Sequence, residues 1–132
     1  MAVSILKNSS SEDVILEEGE SANITATFYD LDGSAITKAN IATLTATLYD
    51  LASSTIINSR NAQDIKDTNG GSLTTAGVLT LKLQPADNAI VTVGNRELET
   101  HRLRLTWTWS DGDTRTGTQE FEFYVRNMVT PS

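Results

Sequence analysis

The sequence predicts an all-β protein folded as an antiparallel β-sandwich of about seven strands. Three observations lead there. Apolar and polar residues alternate with period two in several short segments. Turn-forming Gly, Asp, Asn and Ser separate those segments, and no stretch sustains a helical period. The alternation is strictest from His101 to Asn127, where two runs flank Ser110-Asp111-Gly112-Asp113 in the manner of a hairpin. Leu103, Leu105, Trp107 and Trp109 share one face of the first run, opposite Arg102, Arg104, Thr106 and Thr108. In the second, Phe121, Phe123 and Val125 alternate with Glu120, Glu122, Tyr124 and Arg126. Both tryptophans and two of the three phenylalanines lie here, so this hairpin anchors the core.

A register follows from the faces. A two-residue Asp111-Gly112 loop would set Leu103 against Glu120, a core side chain against a charge. Faces alternate with every residue, so the pairing must slip by one. A three-residue loop, or a bulge near Gly117, brings Leu103 opposite Phe121 and sets Arg102 and Arg104 beside Glu122 and Glu120.

Taken from its start, the chain opens with a polar, Ser-rich arm over residues 1–13, followed by one sandwich domain over 14–127 and a tail over 128–132. Val14 to Leu16 form a first short strand. Ala22 to Ser34 (ANITATFYDLDGS) place Ile24, Ala26 and Phe28 on one face, with Thr25, Thr27 and Tyr29 on the other. Ala42 to Ser54 (ATLTATLYDLASS) repeat that design with Leu44, Ala46 and Leu48 inward, and eight of the thirteen positions are identical. A single repeat is no solenoid. Two half-buried strands converging on threonine outside and aliphatics inside explain it. Thr55 to Arg60 read as a further strand, and Ala62 to Ile65 as one helical turn stopped by Asn69-Gly70-Gly71. Val78 to Leu83 form a clear strand with Leu79, Leu81 and Leu83 on one face. Gln84 to Ala89 form a single turn with Pro85 at its first position, and Thr92 to Thr100 a polar loop.

Composition excludes several chemistries. At 132 residues the chain is one domain, able to bury about two-thirds of its unfolded surface. With no cysteine there are no disulfides and no thiolate-metal sites, and a single histidine argues against a His-based zinc site or a Ser-His-Asp triad. A formal charge of −7 argues against nucleic acid as partner. No apolar run reaches the roughly 18–20 residues of a membrane span, and the first residues lack a secretory signal, so synthesis and retention in a cytoplasm are expected.

Candidate sites are few. Asp30-Leu31-Asp32-Gly33-Ser34 begins like a calcium loop, but Ala35 and Ile41 stand where Gly and Glu are required, so a turn is expected. The carboxylates read as a solvated acidic surface. His101 lies in phase with Leu103 and Leu105, which makes it structural. Trp107 and Trp109 could stack on sugars, with Tyr29 and Tyr49 as further platforms, but their phase assigns them to the core. Gly70, Gly71 and Gly112 are turn glycines. No catalytic, cofactor-binding or metal-ligating residues are assigned, no cofactor is expected, and the protein is expected not to be an enzyme.

Three segments carry a family resemblance: ATFYDLDG (26–33 with its flanks), LQPADNAIV (83–91), and RLRLTWTWSDGD with EFEFYVRN (102–113 and 120–127). Through them the stretch from about Ser21 to Asn127 resembles the small immunoglobulin-like structural proteins of tailed-phage virions. The chain departs from antibody-type domains in having no cysteine pair, and in carrying Val91 where a tyrosine-corner residue would follow Asp87-Asn88-Ala89. The resemblance implies an immunoglobulin-like β-sandwich acting as a virion component made in the host cytoplasm. A capsid decoration (cement) subunit would bind the major capsid protein and neighbouring copies as a homo-oligomer within the assembly. A neck, head-tail connector or tail component is the alternative within that family. A carbohydrate-binding module using the Trp and Tyr platforms is the alternative outside it.

Overall fold

Period-two alternation is realised as two packed sheets. A computed structural model describes residues 2–6, 15–91, 98–110 and 112–126. The described strands are β1 (Ala2–Leu6), β2 (Ile15–Glu17), β3 (Ala22–Thr27), β4 (Ile41–Asp50), β5 (Gln63–Asp64), β6 (Gly71–Leu73), β7 (Val78–Leu83), β8 (Leu98–Ser110) and β9 (Thr114–Arg126). One sheet has the order β1-β3-β7-β6 and the other β2-β9-β8-β4-β5. Every ladder is antiparallel except β2 with β9. The fold is all-β, as the alternation predicts.

The core fills the space between the sheets with one face of each strand. Ile24, Ala26 and Phe28 come from one layer with Leu79, Leu81 and Leu83; Leu44, Ala46, Leu48, Leu103, Leu105, Phe123 and Val125 come from the other. Fully burying one such aliphatic or aromatic side chain contributes about 1.5–3 kcal/mol. Strand β4 needs one correction to its phase. Ile41 and Leu44 are three residues apart, so a regular strand would send them to opposite faces. A register shift between Ile41 and Thr43 in the β4–β8 ladder turns both inward.

The β8–β9 hairpin has the register that the faces demand. Ser110 pairs with Thr114, Leu103 with Phe121, Arg104 with Glu120 and Arg102 with Glu122. The slip is taken up by three residues between the strands, and the pairing runs without a shift through Gly117. Gly117 serves another purpose. It lies opposite Trp107, and a Cβ built there would come within 2.5 Å of two carbons of the indole. The glycine is therefore the space in which the ring lies. Gly117→Ala should overpack this contact and cost about 1–3 kcal/mol, seen as a lowered midpoint in thermal or urea unfolding.

The repeated segment encodes a strand followed by the same return. After β3, Tyr29 bridges Ala35 and Ile36 N–H donates to Phe28 O. After β4, Tyr49 bridges Ile56 and Ile57 N–H donates to Leu48 O. In each copy the aspartate after the tyrosine caps its turn: Asp30 Oδ1 accepts from Leu31 N, and Asp50 Oδ2 from Ser53 N and Oγ. One copy sits in each sheet, so the repetition is a local design used twice.

Four expectations need revision. Residues 2–6, read as part of the arm, pair with β3 as an edge strand; the rest of the arm and the 128–132 tail lie outside the described residues. Thr55 to Arg60 make no strand beyond the Tyr49–Ile56 bridge, because Ser54, Asn58 and Ser59 adopt positive φ and curl the segment. Arg60 turns inward instead, and its guanidinium grips Asp87 through Nε–Oδ1 at 2.6 Å and Nη2–Oδ2 at 3.1 Å. The expected helical turn at 62–65 is the short edge strand β5, paired to Thr45 and Ala46, with Ile65 buried beyond it. Finally, Leu98 to Thr100 belong to β8, not to a loop. The turn at Pro85–Asn88 forms as the sequence reads, with Gln84 N donating to Asp87 Oδ2 at 2.7 Å.

Candidate functional site

Two polar assemblies stand out, one on the outer face of the five-stranded sheet and one at the end of its inner face. On the outer face, the ladders set residues in rows across β4, β8 and β9. Thr43, Thr108 and Thr116 form one row and Thr45, Thr106 and Thr118 the next. Thr47, Arg104 and Glu120, then Tyr49, Arg102 and Glu122, complete the face. The hydroxyls of Thr43 and Thr108 meet at 2.6 Å. Arg104 Nη2 lies 2.9 Å from Glu120 Oε1, and Arg102 Nη1 lies 2.9 Å from Glu120 Oε2. Arg102 also bonds Glu122, which is the main reason its guanidinium is held even more firmly protonated than usual, with Tyr49 adding to it. The Arg104 guanidinium lies over the Tyr49 ring, 5.8 Å from its centroid. The face is thus rich in charge paired within itself.

The inner assembly arises because the core phase of two adjacent strands continues into polar residues. In β4 the series Leu44, Ala46, Leu48 ends in Asp50; in β8 the series Leu103, Leu105, Trp107 begins with Glu99 and His101. Asp50 and His101 are cross-strand partners, and all three side chains are at most 2% exposed. His101 Nε2 lies 2.6 Å from Glu99 Oε1, which also accepts from Val91 N at 2.7 Å. The imidazole meets Phe123 edge-on, centroids 5.8 Å apart. Asp50 Oδ1 and His101 Nδ1 have no hydrogen-bond partner. Among the described residues, these three are the group of His and carboxylate side chains placed to hold a metal ion, each offering one ligand atom within 4.8 Å of the other two. A cavity of about 260 Å³ lined by Asp50, Leu51, Ala52, Leu98, Glu99 and Thr100 opens beside them.

No family model matches this chain, and no curated protein or solved structure matches it either. Its chemistry must therefore be read from its own side chains.

His101 is buried as its phase predicts. Asp50 and Glu99 escaped the sequence analysis, although one step in phase beyond Leu48 reaches Asp50 and two steps ahead of Leu103, through His101, reach Glu99. Trp107 and Trp109 are each 5% exposed, with rings 6.4 Å apart and Trp107 4.8 Å from Phe28. A sugar cannot stack on them. Tyr29 is partly open, whereas Tyr49 is covered by Arg104. The Asp30–Ser34 segment is a turn: Gly33 N donates to Asp30 O, and Asp32 Oδ1 accepts from Ser34 N at 2.9 Å and Ser34 Oγ at 2.5 Å. Those bonds from Ser34 hold the Asp32 carboxyl below its ordinary range. No helix among the described residues is long and apolar enough to cross a membrane.

Asp67 provides the clearest acid-side effect. Its carboxylate accepts from Lys38 at 2.6 Å and from Leu73 N at 2.8 Å, and these bonds hold its pKa below the ordinary aspartate value. A depressed folded pKa contributes stability above the unfolded value, near 3.9, and loses it as pH falls through the folded value. Carboxyl-carbon NMR titration should find Asp67 titrating below pH 3.9, and Lys38→Met should move it upward. An unchanged midpoint in that variant would show that Lys38 is not the cause.

Proposed function

We propose that this chain is an immunoglobulin-like, non-enzymatic structural protein of a tailed-phage virion. In this reading it is a capsid decoration subunit that binds the major capsid protein and neighbouring copies. The observation that carries the reading is the strand layout. Immunoglobulin constant-type domains order their strands A-B-E-D in one sheet and C-F-G in the other. Here β1-β3-β7-β6 has the first order and β9-β8-β4 the second, with β5 added beyond β4 and β2 beyond β9. The sequence segments cited above add the virion association. The burial of both indoles favours this reading over a carbohydrate-binding module, because the aromatic surface such a module needs lies inside the core. What the outer sheet face offers instead is rows of hydroxyls and paired charges suited to contact with another protein surface.

A neck, connector or tail position involves the same chemistry and is separated from decoration by stoichiometry. Quantitative mass spectrometry of purified particles, with the chain located in a density map, tests the proposal. Decoration requires a fixed ratio to the major capsid protein over the shell. A single small ring at the portal or tail moves the assignment there. Absence from intact particles overturns the proposal.

A further inference from the structure

The inner assembly at the end of β4 and β8 caps a turn and packs on Phe123, but it leaves two buried polar atoms unanswered. Burying two carboxylates and an imidazole is unfavourable unless their charge and lone pairs are answered. The partners present answer only some of them. Ser53 occupies Asp50 Oδ2, while Glu99 engages His101 Nε2. What remains is one carboxylate oxygen, Asp50 Oδ1, and one imidazole nitrogen, His101 Nδ1, on side chains that are 1% and 0% exposed. We propose that Asp50 Oδ1 and His101 Nδ1, with Glu99 orienting the imidazole from its other nitrogen, form a binding site for a divalent transition cation, with Zn²⁺ the best fit.

The donor set selects the ion class. Ca²⁺ and Mg²⁺ favour all-oxygen shells, and the chain has no thiolate to offer softer metals. An imidazole nitrogen beside a carboxylate oxygen suits Zn²⁺. The tautomer is also prepared. With Nε2–H donated to Glu99, the Nδ1 lone pair is free for a metal, and a carboxylate behind the ring is the usual support of a ligating histidine. Tetrahedral Zn²⁺ at about 2.0–2.1 Å from each donor wants those donors about 3.4 Å apart. The ligand atoms of Asp50, Glu99 and His101 lie within 4.8 Å of one another. The adjoining cavity is lined by Asp50 and Glu99 and brings solvent-sized space up to the assembly. Bound there, the ion would tie β4 to β8 and hold the end of the sandwich closed.

The test uses the full chain stripped with a chelator. Zn²⁺ is titrated by calorimetry and by long-range ¹H–¹⁵N NMR of the imidazole, which needs no assignment because the chain has one histidine. Saturable one-to-one binding, a large shift of the Nδ1 resonance and a melting temperature raised by several degrees are expected. Ca²⁺ and Mg²⁺ should produce none of these. Asp50→Asn keeps the side-chain shape and should weaken Zn²⁺ binding at least 10-fold. If that variant does not fold, the imidazole signal of the unaltered chain decides alone. Zn²⁺ binding that leaves the His101 resonances unmoved, or no saturable binding, overturns the site.

Discussion

Trp107→Ala should lower the stability of this domain by about 3–5 kcal/mol, the range measured for emptying a large aromatic site in a packed core. The ring is enclosed by Phe28 from the facing sheet, by Trp109 along its own strand and by the glycine at 117 beneath it. None of these can move far without breaking a ladder, so the cavity will stay largely open. A domain of this size holds about 5–15 kcal/mol in total, so the variant should populate unfolded chains near ambient temperature. Trp107→Phe separates two contributions. The indole Nε1 has no hydrogen-bond partner, so phenylalanine removes a buried unsatisfied donor along with part of the volume. Its loss should be well below that of alanine. A melt of Trp107→Ala that matches the unaltered protein would mean that the indole is not a core element.

The second large effect is expected at Asp87. Its carboxylate accepts from Arg60 in two places, from Asn58 Nδ2 at 2.9 Å and from Gln84 N. Arg60 in turn donates from Nη1 to Asn69 O and to Gln63 Oε1, both at 2.9 Å. Arg60 and Asp87 are only 3% and 0% exposed, so removing either partner leaves the other charge buried and unanswered. Asp87→Ala should therefore cost about 3–5 kcal/mol. Pairing it with Arg60→Met should recover part of that loss, because the double variant buries no orphaned charge. Urea unfolding of the two single variants and the double completes the cycle. Strict additivity would show that the two side chains do not act as a pair.

The same pair explains where the sequence stops being legible. Strands β3, β4, β7, β8 and β9 are long enough for period-two alternation to declare their faces, and the hairpin register follows from forbidding Leu103 to face Glu120. The stretch from Leu51 to Gly70 carries no such period. Its path is set by Arg60 reaching Asp87, by Asn69 Nδ2 donating to Asp64 O, and by Lys66 Nζ donating to Ile41 O. Asp67 and Asn69 adopt positive φ without being glycine, as Asn58 and Ser59 do, and no local pattern announces that. Residue type also misled at the inner assembly. Asp50 and Glu99 are in core phase, but a carboxylate at the end of an apolar series reads as the start of a loop. Only the cross-strand pairing of Asp50 with His101 shows that both series end at the same place.

The parallel pairing of β2 with β9 also has a mechanical side. Ile15, Leu16 and Glu17 lie beside Tyr124, Val125 and Arg126, running in the same direction, and Glu18 N–H adds a bond to Arg126 O. Tension between a point ahead of β2 and a point beyond β9 pulls these two strands opposite ways along their common axis. The ladder is then loaded lengthwise, so its hydrogen bonds share the force and must yield together instead of unzipping one at a time. With Leu16 and Val125 both fully buried at that seam, sliding also drags apolar surface past its packing partners.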